Sequence, residues 1–117
     1  MTTAVKQLSF QFAIKIIKLC NRLNKSSSIN RAILIQLLKS GTSIGANIEE
    51  ASAAQSRRDF LTKMYIAFKE AKETNYWLRL FKEAKLISHT ELDDLLKESN
   101  SLINILAAIT KSTKNNL

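Results

Sequence analysis

The chain contains no proline, and its only glycines are Gly41 and Gly45. Proline and glycine are the strongest local signals for turns and loops. A sequence of 117 residues that is nearly free of both has few places where the backbone can reverse direction. The sequence therefore predicts a small number of long helices, in a single domain that spans residues 1–117.

Residues with catalytic or metal-binding chemistry are also scarce. There is one cysteine, Cys20, which cannot form an intramolecular disulfide, and one histidine, His89. The sequence has no zinc-ligand spacing and lacks the Glu-x-x-His motif of di-iron helix bundles. Because these residues offer no pair of nucleophile and base, we expect no enzymatic activity, no metal and no other cofactor.

Long apolar runs are absent as well. No stretch approaches the roughly 20 apolar residues that cross a bilayer. The N-terminus also lacks the apolar region and cleavage site of a signal peptide. We therefore expect a cytoplasmic protein with no membrane partner.

Acidic residues are missing from the first 48 positions. This stretch carries seven basic residues, whereas eleven basic residues face ten acidic ones from Glu49 onward. Of the formal net charge of +8, +7 thus falls on the N-terminal part. Because a field of one sign acts on charged partners rather than on the fold, a polyanion is predicted to bind the N-terminal half.

Hydrophobic periodicity and capping residues predict four helices, over residues 4–25, 29–53, 57–85 and 89–111. Three serines at positions 26–28 separate the first two, because their hydroxyls compete for backbone hydrogen bonds. Ser56-x-x-Asp59 and Ser88-x-x-Glu91 resemble capping boxes that start the third and fourth. Short links between the helices predict an all-α, antiparallel up-down-up-down four-helix bundle, with a frayed tail over residues 112–117.

Helices 1 and 3 carry more apolar residues than a single bundle seam needs. The additional strips consist of Phe10, Ala13, Ile17 and Cys20 in helix 1, and of Ile66, Trp77, Leu80, Phe81 and Ala84 in helix 3. A monomeric bundle would leave these strips exposed to water, so the sequence predicts self-association. On helix 3, Lys69 with Glu73 and Arg79 with Glu83 are spaced to form ion pairs across one turn.

Gly41 and Gly45 lie one turn apart on the apolar side of the second predicted helix. Glycine inside a helix costs about 1 kcal/mol relative to alanine. The pair is best explained by the close approach of another helix. Propensity alone also allows a loop over residues 40–45.

The second helix and the start of the third carry a recognisable motif, Ser43-Ile44-Gly45-Ala46-Asn47-Ile48-Glu49-Glu50-Ala51, followed by Arg57-Arg58 and Asp59-Phe60. The motif resembles the signature of the bacterial four-helix-bundle family, also known as the 23S rRNA intervening-sequence proteins. This resemblance implies an antiparallel bundle that assembles as a ring, commonly a pentamer, with a continuous second helix. It also implies a distant relation to the accessory protein of diversity-generating retroelements, which works with a reverse transcriptase and nucleic acid. It implies no defined activity for ordinary members.

Basic residues of helix 1 share one face of the predicted helix. Lysine and arginine bind phosphates without base specificity and release counterions, which makes affinity sensitive to salt. We therefore predict a nucleic-acid-binding surface that consists of Lys15, Lys18, Arg22, Lys25, Arg31, Lys39, Arg57 and Arg58. The alternative is an ordinary solvated face, with Asp59 or Glu50 as partners for the last two residues. No aromatic residue interleaves this face, so base stacking is not indicated.

We interpret one group of residues on the second helix as a structural motif rather than as a catalytic or partner-binding site. The group consists of Gly41, Gly45, Asn47 and Glu50. Helical rotation places Asn47 and Glu50 one turn apart and off the apolar face, with Glu49 at the other edge. Isolated polar groups in helical bundles often fix the register of helices or subunits through hydrogen bonds. We expect these residues to act in that way.

The sequence favours a non-enzymatic, homo-oligomeric basic bundle that binds RNA or DNA by charge through helix 1. The alternative is an interaction scaffold or accessory subunit for a protein such as a reverse transcriptase, with the basic charge steering association. An enzyme is the least favoured class, because the required side-chain chemistry is missing.

Overall fold

The computed structural model describes residues 2–26, 29–85, 87 and 89–117, without the side chains of Thr2 and His89. The chain forms four helices, α1 Thr2–Leu23, α2 Arg31–Ala51, α3 Arg57–Glu83 and α4 His89–Asn115. The described residues contain no β-strand, so the predicted all-α fold is confirmed. The expected fraying over residues 112–117 is wrong for most of that tail, because α4 continues to Asn115. The expected serine break at positions 27–28 and the expected cap at Ser88 lie outside the described residues.

Ion pairs near the helix ends show that neighbouring helices run antiparallel. Lys6, near the start of α1, pairs with Glu49, near the end of α2, at 3.6 Å. Lys82 Nζ, near the end of α3, lies 2.7 Å from Asp93 Oδ1, near the start of α4. Because α4 returns beside α1, α1 and α3 lie diagonally across a bundle of 48 × 20 × 20 Å. None of the described helices is long and apolar enough to cross a membrane.

Side-chain caps begin the second and third helices. Asn30 Oδ1 accepts a hydrogen bond from the main-chain N–H of Ile33 at 3.1 Å, at the start of α2. Ser56 Oγ accepts one from the N–H of Asp59 at 3.0 Å, as the capping box at α3 predicts. The Asp59 carboxylate accepts from the N–H of Gln55 at 3.4 Å, one residue before the cap, so the reciprocal half of the box is displaced.

Apolar side chains from all four helices form the core. Its large, fully buried members include Phe12, Ile16, Leu19, Leu37, Ile44, Ile48, Met64, Leu78, Leu92, Leu102 and Leu106. Cys20 lies in this core at 4% exposure, as expected of a small core residue. Burial raises the pKa of its thiol to about 11, so the neutral form persists well above neutral pH.

Polar side chains inside the bundle link α3 to both of its neighbours. The Thr74 hydroxyl donates to Ser40 Oγ of α2 at 2.9 Å, and the Asn75 amide donates to Ser99 Oγ of α4 at 2.9 Å. Within the described chain, no buried side-chain nitrogen or oxygen lacks a hydrogen-bond partner. Since an unsatisfied buried polar group costs about 1–3 kcal/mol, these contacts favour one register of α3.

The glycines of α2 lie where α1 packs closest. α2 is continuous through residues 40–45, which excludes the loop alternative. A Cβ atom built on Gly41 would lie 2.8 Å from Cγ2 of Ile16, and one built on Gly45 would lie 3.3 Å from Oγ of Ser9. The close helix approach predicted from the two glycines is therefore confirmed, with α1 as the partner.

Replacing Gly41 with alanine should lower the free energy of unfolding by about 1–2 kcal/mol. Overpacking a core costs about 1–3 kcal/mol, and the upper part of this range applies where the neighbouring side chain cannot move, whereas alanine restores about 1 kcal/mol of helix propensity. Ile16 is fully buried and β-branched, so it cannot rotate away from the added methyl group. Urea denaturation measures the effect.

Gly45→Ala is the matched control and should cost less, because its nearest contact would be longer. In a double-mutant cycle, Ile16→Ala should be less damaging beside Gly41→Ala than alone. A Gly41→Ala protein as stable as the wild type would contradict this account of the α1–α2 contact.

Candidate nucleic-acid interface

The expected basic ridge of α1 borders a groove between α1 and α4. Three cations and three carboxylates line this groove, namely Lys15, Lys18, Arg22, Glu91, Asp94 and Glu98. Lys15 Nζ lies 2.9 Å from Glu98 Oε2. Arg22 forms an ion pair with Glu91. The sequence predicted a surface free of acidic residues. The structure instead shows a groove of mixed charge.

The antiparallel return of α4 causes this neutralisation. Along α1 the cations at positions 15, 18 and 22 are spaced by three and four residues, and the carboxylates at 91, 94 and 98 have the same spacing on α4. Such spacing keeps each set on one helix face. Antiparallel packing then pairs two of the three carboxylates with cations of α1, although the two sets are far apart in the sequence.

Two other predicted phosphate contacts are engaged with neighbouring polar groups. Arg31, at the start of α2, donates hydrogen bonds to the side chain and main-chain oxygen of Asn24. Arg57 Nη1 donates to the main-chain oxygen of Asn116 at 2.7 Å, rather than to either carboxylate expected as its alternative partner. Both arginines thus tie helix ends together.

The remaining three predicted residues lie apart from one another. Lys39 of α2 lies near Glu70 of α3. Burial raises the pKa of the Glu70 carboxyl group, although the positive charge of Lys39 acts to lower it. Lys25 follows α1 at one end of the bundle, and Arg58 lies at the start of α3 at the other end. Both are exposed and form no ion pair within the described chain. The predicted residues therefore form no single surface, and their role in binding stays a prediction.

Two of the three polar residues in the α2 motif, Glu49 and Glu50, connect α2 to another helix, and Asn47 does not. The Glu50 carboxylate accepts a hydrogen bond from Lys63 of α3 at 2.7 Å, which raises the pKa of that lysine. Glu49 makes the ion pair with α1 described above. Asn47 differs from the expectation, because its amide donates to the main-chain oxygen of Ser43 at 2.8 Å, within α2.

The ion pairs change how the remaining positive charge is distributed along the chain. Of eighteen basic and ten acidic side chains, all in the described residues, five of each form ion pairs, so thirteen cations and five carboxylates lie outside such pairs. Only four of these thirteen cations precede α3, whereas nine lie from Arg57 onward together with all five carboxylates, so each part keeps a net charge of +4. The excess of positive charge is therefore not a property of the N-terminal half alone.

A strip on the outer side of α3 combines exposed cations with exposed aromatic rings. It consists of Tyr65, Lys69, Lys72, Tyr76 and Arg79, which we call the α3 strip. Lys69 Nζ lies 5.7 Å from the centre of the Tyr65 ring, and Arg79 Cζ lies 5.7 Å from the centre of the Tyr76 ring. Their spacing of four, three, four and three residues, a signal present in the sequence, puts all five on one helix face.

The ion pairs expected on α3 do not form. Within the described part of the chain, neither Lys69 with Glu73 nor Arg79 with Glu83 makes a salt bridge. Glu73 instead accepts a hydrogen bond from the Trp77 indole at 3.1 Å. A base that precedes its acid by four residues is the weaker order on a helix, and both cations lie over the preceding tyrosines instead.

Exposed apolar side chains occupy the outer side of α1 and α2. Phe10 is 61% and Ile17 42% exposed on α1, and Ile35 is 62% and Leu38 37% exposed on α2. Because α1 packs directly on the glycine face of α2, these residues lie along one helix pair, and we call them the α1–α2 strip. The sequence predicted the half on α1 and missed the half on α2.

The second apolar strip expected on α3 is largely absent. Phe81 is only 3% exposed and belongs to the core, whereas Leu80 is 38% exposed. Trp77 packs against the core and is partly buried. Of the expected strip on α1, Cys20 is also a core residue.

Comparisons with known proteins agree with the fold. A family model described as 23S rRNA-intervening sequence protein matches residues 1–108. The chain is 41% identical to a protein of unknown function from the S23 ribosomal protein family of Bacteroides thetaiotaomicron, known from a crystal structure. That likeness covers 92% of this chain and 98% of the other, with a TM-score of 0.86. No curated protein matches the chain.

Charge reversal should reveal the mixed-charge groove. Lys15→Glu would face Glu98 and lower the free energy of unfolding, by about 1 kcal/mol or less, because the pair lies near the surface. Adding Glu98→Lys should restore the loss by reversing both charges. Thermal or urea unfolding at low salt measures both variants, and the loss should shrink at high salt. Equal stability of all three proteins at low salt would contradict the pairing.

Proposed function

Because the chain belongs to the 23S rRNA-intervening sequence protein family, we propose that it is a non-enzymatic basic helical protein that binds RNA or DNA through charge. The family description refers to ribosomal RNA, and the solved relative is assigned to a ribosomal protein family. Both names fit a role connected with RNA. Neither specifies a binding activity for this chain.

The observation that carries the proposal is the excess of thirteen unpaired cations over five unpaired carboxylates. Unpaired lysine and arginine neutralise phosphates and release counterions, which supports binding without base readout. The α1–α4 groove contributes little to this excess, because its three cations face three carboxylates. The proposed surface therefore lies elsewhere on the bundle than the ridge that the sequence predicted.

Salt dependence tests the proposed function. Affinity for RNA, measured by fluorescence anisotropy, should be detectable at low salt and should fall as salt rises. The logarithm of the association constant should decrease by about 0.7–0.9 per phosphate contact for each tenfold increase in salt. No binding at low salt, or an affinity that salt does not change, would rule out charge-driven binding.

A second candidate function is a scaffold, favoured by the α1–α2 strip. Exposed contiguous apolar side chains mark sites of association between proteins. We propose that copies of this chain associate through the strip, which would supply contacts for the ring implied by the family resemblance. An accessory role beside another protein, such as a reverse transcriptase, is the alternative use of the same apolar surface.

Light scattering tests self-association. The wild-type protein should have a mass several times 13.2 kDa, and about five times if the ring is a pentamer. Ile35→Lys should lower that mass because it puts a charge into the apolar contact. Leu80→Lys is the matched control on α3 and should leave the mass unchanged. A wild-type monomer, or a fully assembled Ile35→Lys variant, would contradict assembly through this strip.

A further inference from the structure

We propose that the α3 strip binds single-stranded nucleic acid, with bases stacked on Tyr65 and Tyr76 and phosphates held by the neighbouring cations. The inference rests on the proposed function and deepens it by naming the surface and the strand type. Single-strand binders commonly combine a basic track for the backbone with aromatic rings on which bases stack. Both elements are present here on one helix face.

The two tyrosines present their rings to solvent at corresponding positions. Tyr65 is 52% and Tyr76 47% exposed. Tyr76 follows Tyr65 by eleven positions, which places the two about 16 Å apart along α3 and on nearly the same side of the helix. Neither phenolic hydroxyl has a hydrogen-bond partner within the described residues. About half of each tyrosine side chain is therefore open to solvent, and neither hydroxyl is engaged in holding the bundle together.

Partly buried aromatic neighbours hold each tyrosine ring in place. The Tyr65 ring stacks on Phe68 with ring centres 5.9 Å apart, and Tyr76 meets the edge of Trp77 at 5.1 Å. Phe68 and Trp77 both pack against the core. Because the supporting rings are anchored, binding a base would restrict the tyrosines little further, which favours affinity.

Cations lie beside both tyrosine rings and on the helix surface between them. Lys69 and Arg79 lie over the tyrosine rings, and Lys72 is exposed between them without an ion-pair partner in the described chain. Across the groove beside Tyr65, α4 contributes Lys111 and Lys114. A phosphate backbone that follows α3 would thus meet cations along its path.

The composition of the strip favours a polyanion over a second copy of the chain. Two α3 strips meeting face to face would bring like charges together. The α1–α2 strip is the apolar surface, and α1 lies diagonally opposite α3. A ring in which α1 of one copy meets α2 of the next would therefore leave the α3 strip accessible.

The inference is tested by comparing single-stranded with double-stranded RNA and by removing the tyrosine rings. The probes are a labelled oligouridylate and an RNA duplex of equal length, measured by anisotropy at low salt. Tyr65→Ala and Tyr76→Ala should each weaken oligouridylate binding, by about 5- to 100-fold. Duplex binding should change little, because paired bases are not available to stack on the rings. The matched controls Tyr65→Phe and Tyr76→Phe keep the rings and should retain affinity.

Salt slopes separate stacking from charge. The alanine variants should keep the wild-type slope, because a tyrosine ring releases no counterion, whereas Lys72→Gln should reduce the slope by about 0.7. If the alanine variants bind oligouridylate as tightly as the wild type, the stacking proposal is wrong. If that binding still weakens with salt, the proposed charge-driven function keeps its support. If the wild type binds neither RNA, both proposals fail. Alanine variants that lose mass in light scattering and keep RNA affinity would assign the strip to contacts between copies, against the inference.

Discussion

The antiparallel return of α4 beside α1 determines where this protein is positively charged. It places Glu98 against Lys15 and Glu91 against Arg22, so the face that is most basic in sequence becomes a groove of mixed charge. Exposed ion pairs stabilise a fold by only about 0–1 kcal/mol each. Their larger consequence is for the surface field, because the net charge outside ion pairs divides equally between the residues before α3 and those from α3 onward.

Close packing between α1 and α2 separates two surfaces that differ in chemistry. Gly41 and Gly45 let α1 approach α2, and both helices of this pair carry exposed apolar residues. The cationic and aromatic α3 strip lies on the helix diagonal to α1. Assembly through contacts between α1 and α2 of neighbouring copies would therefore not compete with binding at the α3 strip.

The fold was largely predictable from the sequence, and the surface was not. Missing proline, helical periodicity and the Ser56 cap predict four helices close to those observed. α4 extends further than expected, and Arg57 donates to the main-chain oxygen of Asn116 at its end. Ion pairs between α1 and α4 could not be predicted by summing charge along the chain, since they depend on spatial register. The α3 strip could have been found from its residue spacing, but its cations were expected to pair with Glu73 and Glu83.

Ultraviolet crosslinking of the intact protein to oligouridylate, with crosslinked peptides identified by mass spectrometry, tests the central claim most directly. The account predicts crosslinks at Tyr65 and Tyr76 of α3. Crosslinks confined to the α1 peptide that carries Lys15, Lys18 and Arg22 would contradict it, because they would locate the nucleic acid at the groove that α4 neutralises.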